Sequence, residues 1–204
     1  MSLSRCLHAT AQPLSILRAS LSNNQMDQMG IEELRELADS SGTEVERLCS
    51  LFNCLQQLVR TESTRPSLSK MAVQPLIENA IDGVDLLFKD DGIFLHSIVS
   101  GDCQPVFIDS SRTLQALSTV LLIAHAVSRR EDTVEVIVSP SLSNAVRVVV
   151  RNLTSHVDAM KPEASLNMAF AETNIRSQHA GFSWSLQPFS VQIDLQRAPP
   201  AHYC

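Results

Sequence analysis

Apolar residues in the first third of the chain recur every three or four positions. Between residues 2 and 23 they stand at Leu3, Leu7, Leu14, Leu17 and Leu21, with Thr10 filling the remaining place in the seam. Steps that alternate between four and three are the heptad signature of a helix that packs on another helix. Residues 30–62 repeat the pattern with Ile31, Leu34, Ala38, Ser41, Val45, Leu48, Phe52, Leu55 and Val59. Leu37, Leu51 and Leu58 widen that stripe to about a third of the helix circumference. The intervening SNNQMDQMG is polar and ends in Gly30, which predicts a turn. Glu32, Glu33, Arg35 and Glu36 fill the outer face. The two segments read as an antiparallel helical hairpin over residues 1–65. Stripes this wide leave apolar surface uncovered, and a second copy would cover it by completing a dimeric four-helix bundle through residues 1–62. The alternative is that the C-terminal part of the chain folds back over the stripe.

The pattern changes after TESTRPSLS, a polar break containing Pro66, so residues 66–204 read as a second domain. MAVQPLIENAIDGVDLLFKDD predicts a helix, and GIFLHSIVSG and PVFID predict two strands. SSRTLQALSTVLLIAHAVSRRED predicts a longer helix capped by Ser110 or Ser111. TVEVIVSP and AVRVVVRN alternate as strands about a short turn, SLSN. EASLNMAFAETNIRSQHAG predicts a helix closed by Gly181. GFSWSLQP and FSVQIDLQ form a last hairpin, and RAPPAHYC reads as a frayed tail. The fold class is α+β, an antiparallel-rich sheet covered on one face by helices.

Composition narrows the function classes. Net charge is −6 and no long basic run occurs, so nucleic-acid binding has no electrostatic footing. No apolar run approaches the roughly 18 residues of a bilayer span. The N-terminus does not read as a signal peptide. Five cysteines, Cys6, Cys49, Cys54, Cys103 and Cys204, form no close pair, and no CxxC or HxxxH spacing suggests a metal. These features fit a reduced, cytoplasmic protein.

One short stretch carries chemistry. In HATAQPL, residues 8–14, His8 follows the seam residue Leu7 and is turned about 100° from the seam, toward solvent. Pro13 lies five residues on, where a proline removes a helical hydrogen bond and bends the axis. The bend either shapes a groove beside the histidine or is merely tolerated.

A hairpin with an early histidine, followed by this order of helices and strands, resembles the core of a sensor histidine kinase. His8, Pro13 and Leu14 occupy the family's phosphoacceptor box. VFIDSSRTLQALSTVLLIAHAV resembles the run from a strand-end aspartate into the nucleotide-site helix. RVVVRN resembles the strand into the first glycine box, and SLNMAFAETNIRSQHAGFSWS the second box and the strand after it. The resemblance implies a dimeric phosphoacceptor hairpin followed by a kinase-like ATPase α/β sandwich. Several of the residues that it calls for are missing. The two asparagines of the nucleotide helix align with Leu121 and His125, the adenine-reading aspartate with Arg151, and the next glycine with Leu153. The paired glycines of the second box align with Ser165 and Asn167. Mg²⁺ prefers hard oxygen ligands, arginine can only donate where a carboxylate would accept, and side chains obstruct a backbone that must approach phosphate. The usual carboxylate after the histidine is Ala9, and the basic residue three places on is Ala11.

The resemblance therefore implies a degenerate kinase, and bacterial histidine phosphotransferases fit that description. In that reading His8 exchanges phosphate with a response-regulator receiver domain. This chain binds no cofactor, and the receiver supplies Mg²⁺ and the aspartate. Phosphoryl transfer is mostly positioning and charge stabilisation, so those groups can all sit on the partner. A neutral imidazole is nucleophile enough. The receiver would dock on Arg5, Thr10, Gln12, Ser15, Ile16 and Ala19 of the first helix and on Cys54, Gln57 and Arg60 of the second. Two further readings share the resemblance: an adaptor that binds a receiver or kinase without exchanging phosphate, and a divergent active kinase.

Overall fold

The computed structural model describes residues 14–16, 18–19, 30–141, 144–154 and 160–198. It divides into two compact units, residues 1–59 and 60–204.

Residues 14–16 and 18–19 of the first unit are helical, and α1 runs through Ile31–Ser63, its last four residues belonging to the second unit. Glu32 and Glu33 stand in its first turn and Arg60 in its last, each sign placed where the helix dipole favours it. The Gly30 amide donates to Glu33 Oε2 at 2.9 Å, satisfying a donor that the helix start leaves free. Only part of the broad apolar stripe is buried: Leu48, Leu51, Cys54 and Leu58. Ile31, Leu34, Val45, Phe52 and Val59 are exposed. The expected turn over residues 22–29 and most of the first helix lie outside the described residues.

The second unit is built on five strands in the order β2-β4-β5-β7-β6: β2 (Phe94–Val99), β4 (Thr133–Ser141), β5 (Ala145–Asn152), β6 (Gly181–Leu186) and β7 (Phe189–Gln196). Strand β2 runs parallel to β4, and the other neighbours are antiparallel. A parallel neighbour cannot follow from a tight turn; the crossover holds β3 (Val106–Ile108) and α4 (Ser110–Val127). The sheet buries one face. Val134, Val136 and Val138 register with Asn152, Val150 and Val148, and these with Phe189, Val191 and Ile193. Apart from Asn152, all of these join one apolar core with Val73, Leu76, Ile77 and Ala80 of α2 (Val73–Asp82), with Leu117, Val120 and Leu121 of α4, and with Met168, Ala171 and Ile175 of α5 (Pro162–Arg176). Burying each large apolar side chain contributes about 1.5–3 kcal/mol, so this layer is the main source of stability.

Four local expectations change. The segment expected as one helix over 71–91 is two, α2 and α3 (Asp85–Asp90), parted at Gly83, the weakest helix former short of proline. Met71 belongs instead to β1 (Ser69–Met71), which pairs with β3 in a separate two-stranded sheet. The cap of α4 is Asp109, not Ser110 or Ser111: its carboxylate accepts from the Arg112 amide at 3.1 Å, as an N-cap side chain does. Helix α5 ends at Arg176, and His179 rather than Gly181 takes the left-handed conformation, with φ +60°. Gly181 opens β6, where an added Cβ would stand 3.2 Å from Asp194 Cβ. In the expected tail, Arg197 bridges Val106 and the Ala198 amide donates to Pro105 O at 2.9 Å. Residues 199–204 lie outside the described residues.

Candidate functional site

The sequence placed its site on the helical flank near His8, and the resemblance singled out a second set of positions, those aligned with a kinase's nucleotide contacts. Of the flank, Arg5, His8, Thr10, Gln12 and Pro13 lie outside the described residues, as do Ala9 and Ala11. Ser15, Ile16 and Ala19 are helical and exposed, with Ile16 37% accessible. Their spacings of three and four set Ile16 and Ser15 beside Ala19. On α1, Gln57 and Arg60 are exposed. Cys54 is not: it is 8% accessible, so its assignment as a docking residue is corrected. It falls three and four residues from Leu51 and Leu58, in the buried row of the helix, and a thiol behaves there as a small apolar side chain.

The positions aligned with the nucleotide site are all described, and several are engaged in the fold. Leu121 is 1% accessible and belongs to the core between helices and sheet. The His125 ring lies edge-on to Phe88, with centroids 5.0 Å apart, and its Nε2 is 2.8 Å from Asp91 Oδ2. Arg151 is carried on β5 to the face of the sheet away from the helices, where its Nε donates to Glu135 Oε2 at 2.7 Å. The two are directly opposed across β4 and β5, so the register makes this pair. Leu153 is exposed at 57%, Ser165 is exposed, and Asn167 is half-buried on α5.

A cluster that the sequence reading did not anticipate closes the end of β5. The buried Asn152 donates through Nδ2 to Ser128 Oγ at 2.7 Å and to Asp132 Oδ2 at 3.0 Å. Its Oδ1 accepts from the Thr154 amide and hydroxyl at 2.9 and 2.8 Å, and the Thr154 hydroxyl also lies 2.7 Å from Asp132 Oδ1. The Arg129 amide donates to Asp132 Oδ2 at 2.9 Å. Burial pushes the Asp132 carboxyl up, but the Arg129 amide, the Asn152 and Thr154 hydrogen bonds and the Arg129 charge outweigh it, and the net shift is downward. The loop after α4 and the turn after β5 are thus tied together. Asn, Asp and Thr near strand and helix ends are the only sequence signal of such a cluster, and they signal ordinary turns equally well.

Among the described residues no group of three or more His, Cys, Asp or Glu is placed to hold a metal ion. Among them, too, no helix is long and apolar enough to cross a membrane. Among the described residues Cys49, Cys54 and Cys103 form no disulfide.

No family model and no curated protein matches the chain. Solved structures do. The histidine kinase AdeS of Acinetobacter baumannii matches with a TM-score of 0.69 at 16% identity, over 94% of this chain and 98% of that one. The histidine kinase ThkA, solved in complex with the response regulator TrrA, matches with a TM-score of 0.70 at 14% identity, over 98% of this chain and 62% of that one. Full-length ShkA, solved with AMPPNP, matches at 0.64 and 12% identity, over 97% of this chain and 47% of that one. The chain has the fold of a sensor histidine kinase core.

Proposed function

We propose that this chain is a histidine phosphotransfer protein, in which His8 exchanges a phosphoryl group with the aspartate of a receiver domain and ATP takes no part. The observation that carries the reading is the fate of the nucleotide positions. Leu121 is core, Arg151 is bonded to Glu135 on the far side of the sheet, and His125 is packed on Phe88 and Asp91. A fold that is retained while these positions serve packing and ion pairing fits a scaffold better than an ATPase.

The chemistry asks little of this chain. The lone pair of a neutral imidazole nitrogen of His8 forms the N–P bond as the P–O bond to the receiver aspartate breaks. The carboxylate leaves with the electron pair, and the other ring nitrogen keeps its hydrogen. The receiver brings Mg²⁺ to screen the charge of the transferring group. In this reading the receiver docks on Ser15, Ile16, Ala19, Gln57 and Arg60, each of which is exposed, and on Arg5, Thr10 and Gln12, which lie outside the described residues. That the ThkA structure holds a response regulator on the same fold supports a receiver as partner.

The exposed row on α1 supports a homodimer. Ile31, Ala38, Val45, Phe52 and Val59 recur every seven residues, and all are exposed. A second copy of the hairpin, making a four-helix bundle, would cover them.

Incubation with a receiver carrying labelled phosphate tests the reading. Label should pass to this chain, and His8→Gln should abolish the transfer while leaving receiver binding intact. Binding without transfer in the wild-type chain would instead make it an adaptor.

A further inference from the structure

The end of α1 is held by groups that come from far along the chain. A helix leaves its last carbonyls without internal donors. Here Arg112 of α4 supplies them: Nη1 donates to Thr61 O at 3.2 Å, and Nη2 to Thr64 O at 2.9 Å. The same guanidinium reaches Thr64 Oγ1 at 2.6 Å and Ser177 Oγ at 2.9 Å. Asp109, three residues before Arg112, holds the other end. Its Oδ2 accepts from the Ser67 amide at 2.8 Å and lies 3.7 Å from Arg112 Nε. The last turn of α5 and the residues just after it join in, with Asn174 Oδ1 accepting from Thr61 Oγ1 at 3.2 Å and Gln178 Oε1 from the Asp109 amide at 2.6 Å. Thr61, Asp109, Arg112, Asn174 and Gln178 are all buried. The cation takes the carbonyls and the anion takes the amide, so each charge faces the backbone group of opposite polarity.

We propose that Arg112 and Asp109 form a latch that keeps residues 61–67 fixed within the second unit in the free protein. A fork is required, because a lysine ammonium cannot reach Thr61 O, Thr64 and Ser177 together from one planar group.

Hydrogen exchange on the full chain, read by mass spectrometry over residues 59–68, tests the latch. In the wild type the Thr64 and Ser67 amides, bonded to Arg60 O and Asp109 Oδ2, should be protected. Arg112→Gln should speed their exchange about tenfold or more, Arg112→Lys should restore protection only in part, and Thr64→Val should cost about two- to fivefold. The Val148 and Val150 amides of β5 should stay protected, showing that the sheet is intact. Should Arg112→Gln unfold the unit, Thr64→Val decides: faster exchange confined to the connector supports the latch, and unchanged exchange overturns it. Wild-type amides that exchange as in an unstructured peptide also overturn it. The relay reading fails separately, through absence of label on His8 in the wild type.

Discussion

Asp132 is a carboxylate whose charge the fold has enlisted. It receives the Arg129 amide and the Asn152 side chain, and Thr154 leans on its second oxygen. Its folded value lies below the ordinary 3.8. A carboxyl depressed on folding contributes stability that is fully present above the unfolded value and is lost as pH falls through the folded one. Asp132→Asn should therefore cost about 1–2 kcal/mol at neutral pH. The gap in Tm from the wild type should close as pH falls below about 4. A gap that persists at acid pH would mean that shape, not charge, is what Asn152 and Thr154 require. Leu121 obeys a different rule. It is sealed in the core, so Leu121→Asn, which puts back the amide that the kinase resemblance calls for, should cost about 3 kcal/mol in chemical denaturation. The environment that would accept an amide there is gone, since its neighbours Leu117, Val120 and Ala124 are core residues too.

Helix α1 shows what a heptad can and cannot say. The pattern over 30–62 yields a helix at Ile31–Ser63 because polar and apolar positions agree with one period throughout. The same pattern cannot tell which edge of a wide stripe is covered first. The structure buries the row of Leu48, Leu51, Cys54 and Leu58 and exposes that of Val45, Phe52 and Val59. This is also why the heptad pattern reads Cys54 as surface: it sits outside the a and d seam but inside the buried row. The proposed dimer then makes a sharp contrast between the rows. Val45→Glu with Phe52→Glu should leave helix content unchanged in circular dichroism while sedimentation shifts from dimer to monomer. Leu51→Glu should lower Tm instead, by burying an unpaired charge. Equal sedimentation of wild type and the double variant would remove the bundle from the account.

For the molecule as a whole, ligand linkage offers the broadest check. A nucleotide that binds only the folded state raises stability by RT ln(1 + [L]/Kd), so 1 mM Mg²⁺–ATP bound at about 10 µM would add about 2.7 kcal/mol. No rise in Tm is expected here, and a rise of several degrees would revive an active kinase. The chain by itself determined the long α1 and the strands β4, β5, β6 and β7. Each of these is written in local periodicity or in adjacent residues. Only the tertiary structure decided that β2 lies parallel beside β4 while β3 leaves for another sheet, because pairing partners are chosen across a crossover that no local pattern encodes. It alone turned Arg151 toward Glu135 and brought Arg112 to the end of α1 across 48 residues of sequence. A side chain's partner depends on which distant segments the shared core draws together, and that choice is made by burial summed over the whole sheet rather than by any residue's own preference.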